Sequence, residues 1–372
     1  MDYAIFTVPA DFKIETLKKY SEGNANRKIK IAEVYGSLKH GEYGAGRRSF
    51  DLANITWDEF CKYIQTCNEL GIEFNYTINA SCMGNVEFDK DKRNELLDFV
   101  SSLYDIGIRS FTVAIPSVAH FIWRKFKDVK ITLSIIAGID TLDKARVYAK
   151  YGYIHNIYVH EKLNRNPRMV REIVKIAKDN NINVGMIVNS LCLNDCPFRQ
   201  FHYNFTGHMT QPQNYVEQDY YAYLCLKEKI LDVRNVLNAS WIRPNDIKAL
   251  LDAGITRFKV AGRERNSRLA SYEKVVDYYN SGKYEGNIAL LLTCFVENSF
   301  SKIFNIPNNV QLDSYMNKVF EEKILCNRFG CTNCGACKSV LDTIVINKDD
   351  AKKWVSQCDS RISNFLDEPK QI

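Results

Sequence analysis

Near the C-terminal end of the chain four cysteines, Cys326, Cys331, Cys334 and Cys337, stand in the order C-x4-C-x2-C-x2-C. Gaps of two residues let thiolates converge on one ion or cluster while the intervening backbone turns its N–H groups toward the sulfurs. Gly330 and Gly335 permit the positive φ angles that such a wrap needs. Four thiolates suit a structural zinc or an iron–sulfur cluster, and the close packing of the last three leans toward a cluster of the 4Fe–4S type. A second, looser set lies upstream. Cys192 and Cys196 form a C-x3-C pair in the stretch Ser190–Arg199, a spacing compatible with two metal ligands or with two small buried hydrophobes.

Elements that alternate regularly must position these residues. Short β-branched runs at Tyr3–Thr7, Lys30–Tyr35, Glu73–Ile78, Ser110–Ile115, Lys130–Ile136, Ile154–Val159, Asn183–Val188 and Arg257–Val260 read as strands. Amphipathic stretches at Trp57–Leu70, Lys92–Tyr104, Leu142–Lys150, Arg168–Asp179 and Pro244–Asp252 read as helices between them. Gly71, Gly107 and Gly254 each precede a β-branched residue and suit helix C-caps that turn the chain into the next strand.

Eight strands alternating with helices predict an α/β fold of the (β/α)8 TIM-barrel type over residues 1–282, with an open doubly wound sheet as the alternative. The barrel is favoured because polar and unusual residues follow the strands, at 36–48, 79–82, 160–165, 189–202 and 262–265, where barrel loops share one face. Residues 189–243 form a long, aromatic-rich excursion that carries Cys192, Cys196 and Cys225. Residues 283–372 read as a small C-terminal cysteine-rich module that holds the four-cysteine run.

Bulk properties bound the function less tightly. The 372-residue chain is 46% hydrophobic and 25% charged, ordinary values for a globular protein. Its net charge of +6 permits an anionic substrate or an RNA contact without requiring one, and it has no Lys/Arg tract. The first residues lack a basic n-region and read as a strand rather than a signal peptide, and no apolar run is long enough to span a bilayer. The expectation is therefore a cytoplasmic protein without a membrane span, whose twelve cysteines serve packing and metal ligation rather than disulfides.

Three ordered motifs carry a resemblance to a known family. Val188-Asn189-Ser190-Leu191-Cys192, with a second cysteine soon after, resembles the signature of the collagenase-like peptidase family U32. Phe258-Lys259-Val260-Ala261-Gly262-Arg263 followed by Tyr272-Glu273-Lys274-Val275-Val276 is similar to its last-strand element. Glu33–Leu38 with Arg47-Arg48-Ser49-Phe50 is similar to its second-strand motif. Together they cover about the first 280 residues. The family is named for proteolysis, yet it includes oxygen-independent hydroxylases acting on tRNA, ribosomal RNA and the ubiquinone ring. Such members hold a 4Fe–4S cluster on four barrel cysteines, and prephenate is implicated as oxygen donor for some.

The resemblance maps the first signature cysteine onto Cys192 and the second onto Cys196, although the spacing here is shorter than the family's. It implies Cys225 as third ligand, and Cys82, in the loop after the third strand, is proposed as the fourth. Ala261 departs from the family, where Glu is common. The four-cysteine run would then be a second centre, zinc or iron–sulfur, serving electron transfer to the barrel site.

Arg47, Arg263 and Arg199 have the guanidinium fork that clamps a carboxylate or phosphate. Glu161, placed where the family often has a glutamate, and His160 are candidate acid–base groups. Arg199, His202, Asn79 and Lys259 are candidate substrate-binding residues. The expected activity is an iron–sulfur-dependent, oxygen-independent hydroxylation or other oxidation of an RNA, a small aromatic or a peptide, with an electron donor or a heterodimer partner. Two alternatives stay open: a peptidase, with Cys192 or Cys196 as nucleophile and His202 or His208 as base, and a non-catalytic subunit that carries a cluster.

Overall fold

The computed structural model describes residues 4–39, 43–47, 52–211, 219–262, 270–321 and 335–367. Eight parallel strands close a barrel: β1 (Ile5–Pro9), β2 (Lys30–Gly36), β3 (Glu73–Ile78), β4 (Ser110–Val113), β5 (Lys130–Leu133), β6 (Ile154–Tyr158), β7 (Asn183–Ile187) and β8 (Arg257–Lys259). Closure comes from β8 pairing back onto β1, with Thr7 opposite Lys259. The fold is a (β/α)8 barrel, as the alternation predicts.

Helices α1 (Ile14–Gly23), α2 (Trp57–Glu69), α3 (Lys90–Asp105), α4 (Pro116–Lys125), α5 (Leu142–Ala149) and α6 (Pro167–Lys178) follow the first six strands in turn. Their starts are written locally. Thr56 and Glu59 form a reciprocal capping box at α2, and Pro116 and Pro167 stand in the first turns of α4 and α6. Gly71, Gly107 and Gly254 have φ of +64°, +102° and +90°, the left-handed turn expected of them.

Strand ends differ from expectation where a side chain competes for the backbone. Expected to reach Ile136, β5 stops at Leu133, because the Ser134 hydroxyl accepts the Ile136 N–H at 3.3 Å and starts a tight turn. β1 begins at Ile5 and runs on to Pro9, held by pairing of Pro9 with Tyr35.

The excursion after β7 holds α7 (Arg199–Met209), α8 (Tyr220–Leu231) and α9 (Arg234–Leu237), followed by α10 (Ile247–Asp252) before β8. Beyond β8 come α11 (Tyr272–Ser281), α12 (Ile288–Leu292), α13 (Ser299–Ile303), α14 (Val310–Phe320), α15 (Lys338–Leu341) and α16 (Lys348–Asp367), with β9 (Phe304–Asn305) pairing antiparallel to β10 (Val345–Ile346). Leu292, Phe304, Ile306, Met316 and Val340 join the same apolar core as the barrel strands. The fully buried Arg243 binds Asp246, Asn308 and Asp313, tying the approach to β8 to α14. On the other side α16 lies against α8 through Lys227–Asp359 and a hydrogen bond from Arg361 to the Tyr223 hydroxyl.

The bore is polar. Along the strands Phe6, Phe74, Phe111, Ile131, Ile157 and Phe258 belong to the apolar core, and the alternating positions carry Thr7, Asn75, Ser110, Thr132, Asn156 and Arg257. These are joined side chain to side chain. Thr7 and Asn75 donate to Glu33, Thr112 donates to Asn75 at 2.7 Å, and Asn156 donates to Thr132 at 2.9 Å. Arg257 closes the belt on Glu33 at 2.5 Å. Burial disfavours its charge, but the Glu33 carboxylate outweighs this and raises the guanidinium pKa further.

Removing one member of such a pair leaves the other charged and dry. Arg257→Met is expected to cost about 3–5 kcal/mol of stability, read as a lower urea midpoint; a loss below about 1 kcal/mol would show that the pair does not carry the belt.

Candidate active site at the barrel mouth

The strand ends open onto a cavity of about 80 Å³, room for roughly six waters. Its lining includes Tyr35, Arg47, Asn79, Tyr158, Lys259 and Ala261. Lys259 ends β8, and its ammonium sits 3.6 Å from the centroid of the Tyr35 ring and 5.3 Å from that of Tyr158. The Arg47 guanidinium lies 5.0 Å from the same Tyr35 ring. Tyr35 cannot drift, because its hydroxyl donates to the Val260 carbonyl at 3.0 Å.

Asn79, just past β3, accepts the Gly46 N–H at 2.9 Å and so fixes the segment that presents Arg47. A Cβ on Gly46 would stand 2.9 Å from the tip of the Ile136 side chain and 3.0 Å from the Asn79 amide, so a larger residue here would have to push both side chains aside. The Tyr158 ring crosses the bore over Gly185, where a Cβ would come within 2.6 Å of it. Two cations, three tyrosines counting Tyr203, and the hydroxyls of Thr77, Thr112 and Ser134 line the cavity, with no Asp or Glu among the described lining residues. That lining favours a small anion with a flat apolar body. Of the residues singled out from the sequence, Arg47, Asn79 and Lys259 thus meet in one cavity.

The backbone beside the cavity is held by one amide. Asn189, just beyond β7, accepts the Ala261 N–H at 2.7 Å and donates to the carbonyls of Ala261 and Leu292 at 2.9 and 3.1 Å.

A second group forms on the loop after β7. Cys196 is half-buried; burial pushes its thiol pKa up, and the nearby charges of Cys225 and Cys192 push it further. Arg199, in the first turn of α7, binds Glu161 and donates to the Leu193 carbonyl at 3.1 Å. Burial lowers the Arg199 pKa, but the charges of Glu161 and Cys192 outweigh it and raise it. On α8 the buried Lys229 brings its amine to 2.6 Å from the Cys225 sulfur.

Other candidates have separate placements. Glu161 is buried on Arg199, so these two meet each other rather than the cavity. His160 is buried and accepts the Lys162 N–H; burial lowers its pKa, which keeps it neutral near pH 7. His202 pairs with Asp219 at 3.2 Å and faces the Tyr221 ring. Cys82 is half-buried in the loop after β3, where its carbonyl accepts from Gln211. Cys337 stands at the start of α15, and Arg263, Cys326, Cys331 and Cys334 lie outside the described residues.

Among the described residues, no three His, Cys, Asp or Glu side chains converge as a metal-ligand group. Cys192 and Cys225 lie near enough to Cys196 for their charges to raise its thiol pKa, with Arg199 beside Glu161 and Lys229 against Cys225 bringing positive charge to this segment, and thiolates are the donor type that zinc and iron–sulfur centres take. Sequence reasoning missed Lys229, although its i+4 spacing from Cys225 puts both on one helix face. It also missed Tyr35 and Tyr158, whose strand positions look like ordinary packing.

Among solved structures, the U32 peptidase Mk0906 superposes with a TM-score of 0.51 at 16% identity, covering 70% of this chain and 94% of that one, a likeness of fold. The uncharacterized protease MJ1657 of Methanocaldococcus jannaschii is 25% identical over 342 residues, spanning 90% of this chain and 96% of its own length. The profile of peptidase family U32 matches residues 15–309, most of the chain and nearly all of the barrel, and the chain belongs to that family.

Proposed function

We propose that this family member is an iron–sulfur enzyme that oxidises or hydroxylates its substrate without dioxygen, using a small anionic cosubstrate bound at the barrel mouth. The observation that supports this best is the gathering of Cys192, Cys196 and Cys225, flanked by Arg199 and Lys229, beside a barrel mouth lined by Arg47 and Lys259. These three cysteines would hold the cluster, with Cys82 proposed as a fourth ligand. The cluster would supply electron transfer. The chain's own residues do the rest: Arg47 and Lys259 attract the anion, Tyr35 and Tyr158 wall the cavity, and the Thr77, Thr112 and Ser134 hydroxyls orient what enters. The substrate acted on is an RNA, a small aromatic or a peptide.

Peptide hydrolysis is the second reading. It draws on the name of the family and of its Methanocaldococcus relative, and on the His202–Asp219 pair, which matches the orienting half of a nucleophile–histidine–acid triad.

Metal analysis separates the two. Protein purified without oxygen is expected to carry about four irons with matching sulfide per barrel cluster, and the Cys192→Ala, Cys196→Ala double variant to lose them. A metal-free chain that cleaves a casein or gelatin probe would establish hydrolysis instead. Cosubstrate binding is tested separately by calorimetry with benzoate and inorganic phosphate. Arg47→Met and Lys259→Met are each expected to weaken binding by roughly 10- to 100-fold, the worth of one hydrogen bond to a charged group. Unchanged affinity in both variants would remove the anion from the proposal.

A further inference from the structure

Lys229 is about as buried as a lysine can be, with 4% of its surface exposed. Buried lysines ordinarily stand against a carboxylate. Here the amine reaches back one turn of α8 and meets sulfur, at 2.6 Å from Cys225 Sγ and 3.5 Å from the Cys225 carbonyl oxygen. An N–H···O bond already spans about 2.9 Å between heavy atoms, and sulfur is larger than oxygen, so this contact is short for a hydrogen bond. It is long for a direct nitrogen–sulfur bond. It matches two bonds through a single bridging atom.

We infer that Cys225 and Lys229 form an oxidative modification site, in which sulfur and amine nitrogen become linked through one oxygen atom. Two features of the fold suit it. Both groups sit on one helix, and α16 braces that helix through Tyr223 and Lys227, so their separation does not depend on a loop. Cys225 is half-buried, within reach of a small oxidant, whereas the Lys229 amine has little solvent to retreat into.

The step balances with dioxygen as oxidant. The thiol S–H, one amine N–H and the O–O bond break, while S–O and O–N bonds form. One oxygen atom stays as the bridge, and the other leaves with the two hydrogens as water. Two equivalents of a dithiol reductant reverse it: one oxygen leaves as water, the thiol and amine are restored, and the dithiol ends as disulfide. The inference does not rest on a metal. A metal on Cys225 would occupy the sulfur and block the step, so the link belongs to the metal-free chain.

Protein purified without oxygen is divided, and one half is held in air-saturated buffer with EDTA before digestion and mass spectrometry. The expected product is a Cys225–Lys229 linked species with one oxygen more and two hydrogens fewer than the parent residues. It should appear only after air, disappear with dithiothreitol, and be absent from Cys225→Ser. In Lys229→Met, Cys225 is expected to advance to sulfinic or sulfonic acid instead. The wild-type spectrum decides alone if either variant fails to fold. Oxidation of Cys225 with Lys229 unmodified, a direct nitrogen–sulfur link without oxygen, or no change at all would each overturn the inference.

Discussion

The pairing of Glu33 with Arg257 inside the bore is the interaction on which the rest of the molecule depends. A barrel usually fills its interior with branched aliphatic side chains. Here the bore is a ring of Thr, Ser and Asn hydrogen-bonded across neighbouring strands, and the ring closes on one buried ion pair. Each polar group taken from water must find a partner, because an orphan costs about 1–3 kcal/mol. Glu33 answers three donors from three strands at once. The same network reaches the cavity: Tyr158 donates to Thr7, and its ring then stands beside Lys259. The geometry at the mouth is inherited from the belt below it.

This explains which parts of the fold were legible in the sequence. The strand count was readable, because β-branched runs recur with glycine stops at Gly71, Gly107 and Gly254, and those glycines adopt the left-handed conformation that their position demands. The strand ends were less so, since Ser134 ends β5 by a side-chain bond that no periodicity records. Arg47, Asn79 and Lys259 could be picked from the sequence because each stands at the end of a strand, just past one or in the loop it feeds. Glu161 and Arg199 could be picked too, but their mutual pairing could not, since it joins the loop after β6 to α7 across 38 residues. Tyr35 and Tyr158 of the cavity escaped notice because nothing local separates an aromatic that lines a site from one that fills a core.

Positive charge is used in two different ways at this end of the barrel. Arg47 and Lys259 lie over an aromatic ring and leave a cavity between them, an arrangement suited to a ligand that comes and goes. Arg199 and Lys229 are buried against acid and sulfur and leave no such space. The first pair faces open space, while the second is taken up by contacts within the sulfur-bearing segment.

Asn189 carries a consequence of its own. β7 and β8 cease regular pairing at Ile187 and Lys259, yet the backbone at Ala261 is still held on both its N–H and its C=O. The Asn189 side-chain amide offers one acceptor and one donor in the places where a neighbouring strand's peptide group would offer them. It acts as a peptide unit turned sideways, and its second N–H reaches Leu292 beyond the barrel. The sheet therefore extends one step past its last backbone rung. Only a side chain with both a donor and an acceptor at that reach can supply the step; aspartate would lose the donors, and glutamine would overshoot by a methylene. Asn189 is in this sense part of the barrel wall rather than of the loop it begins.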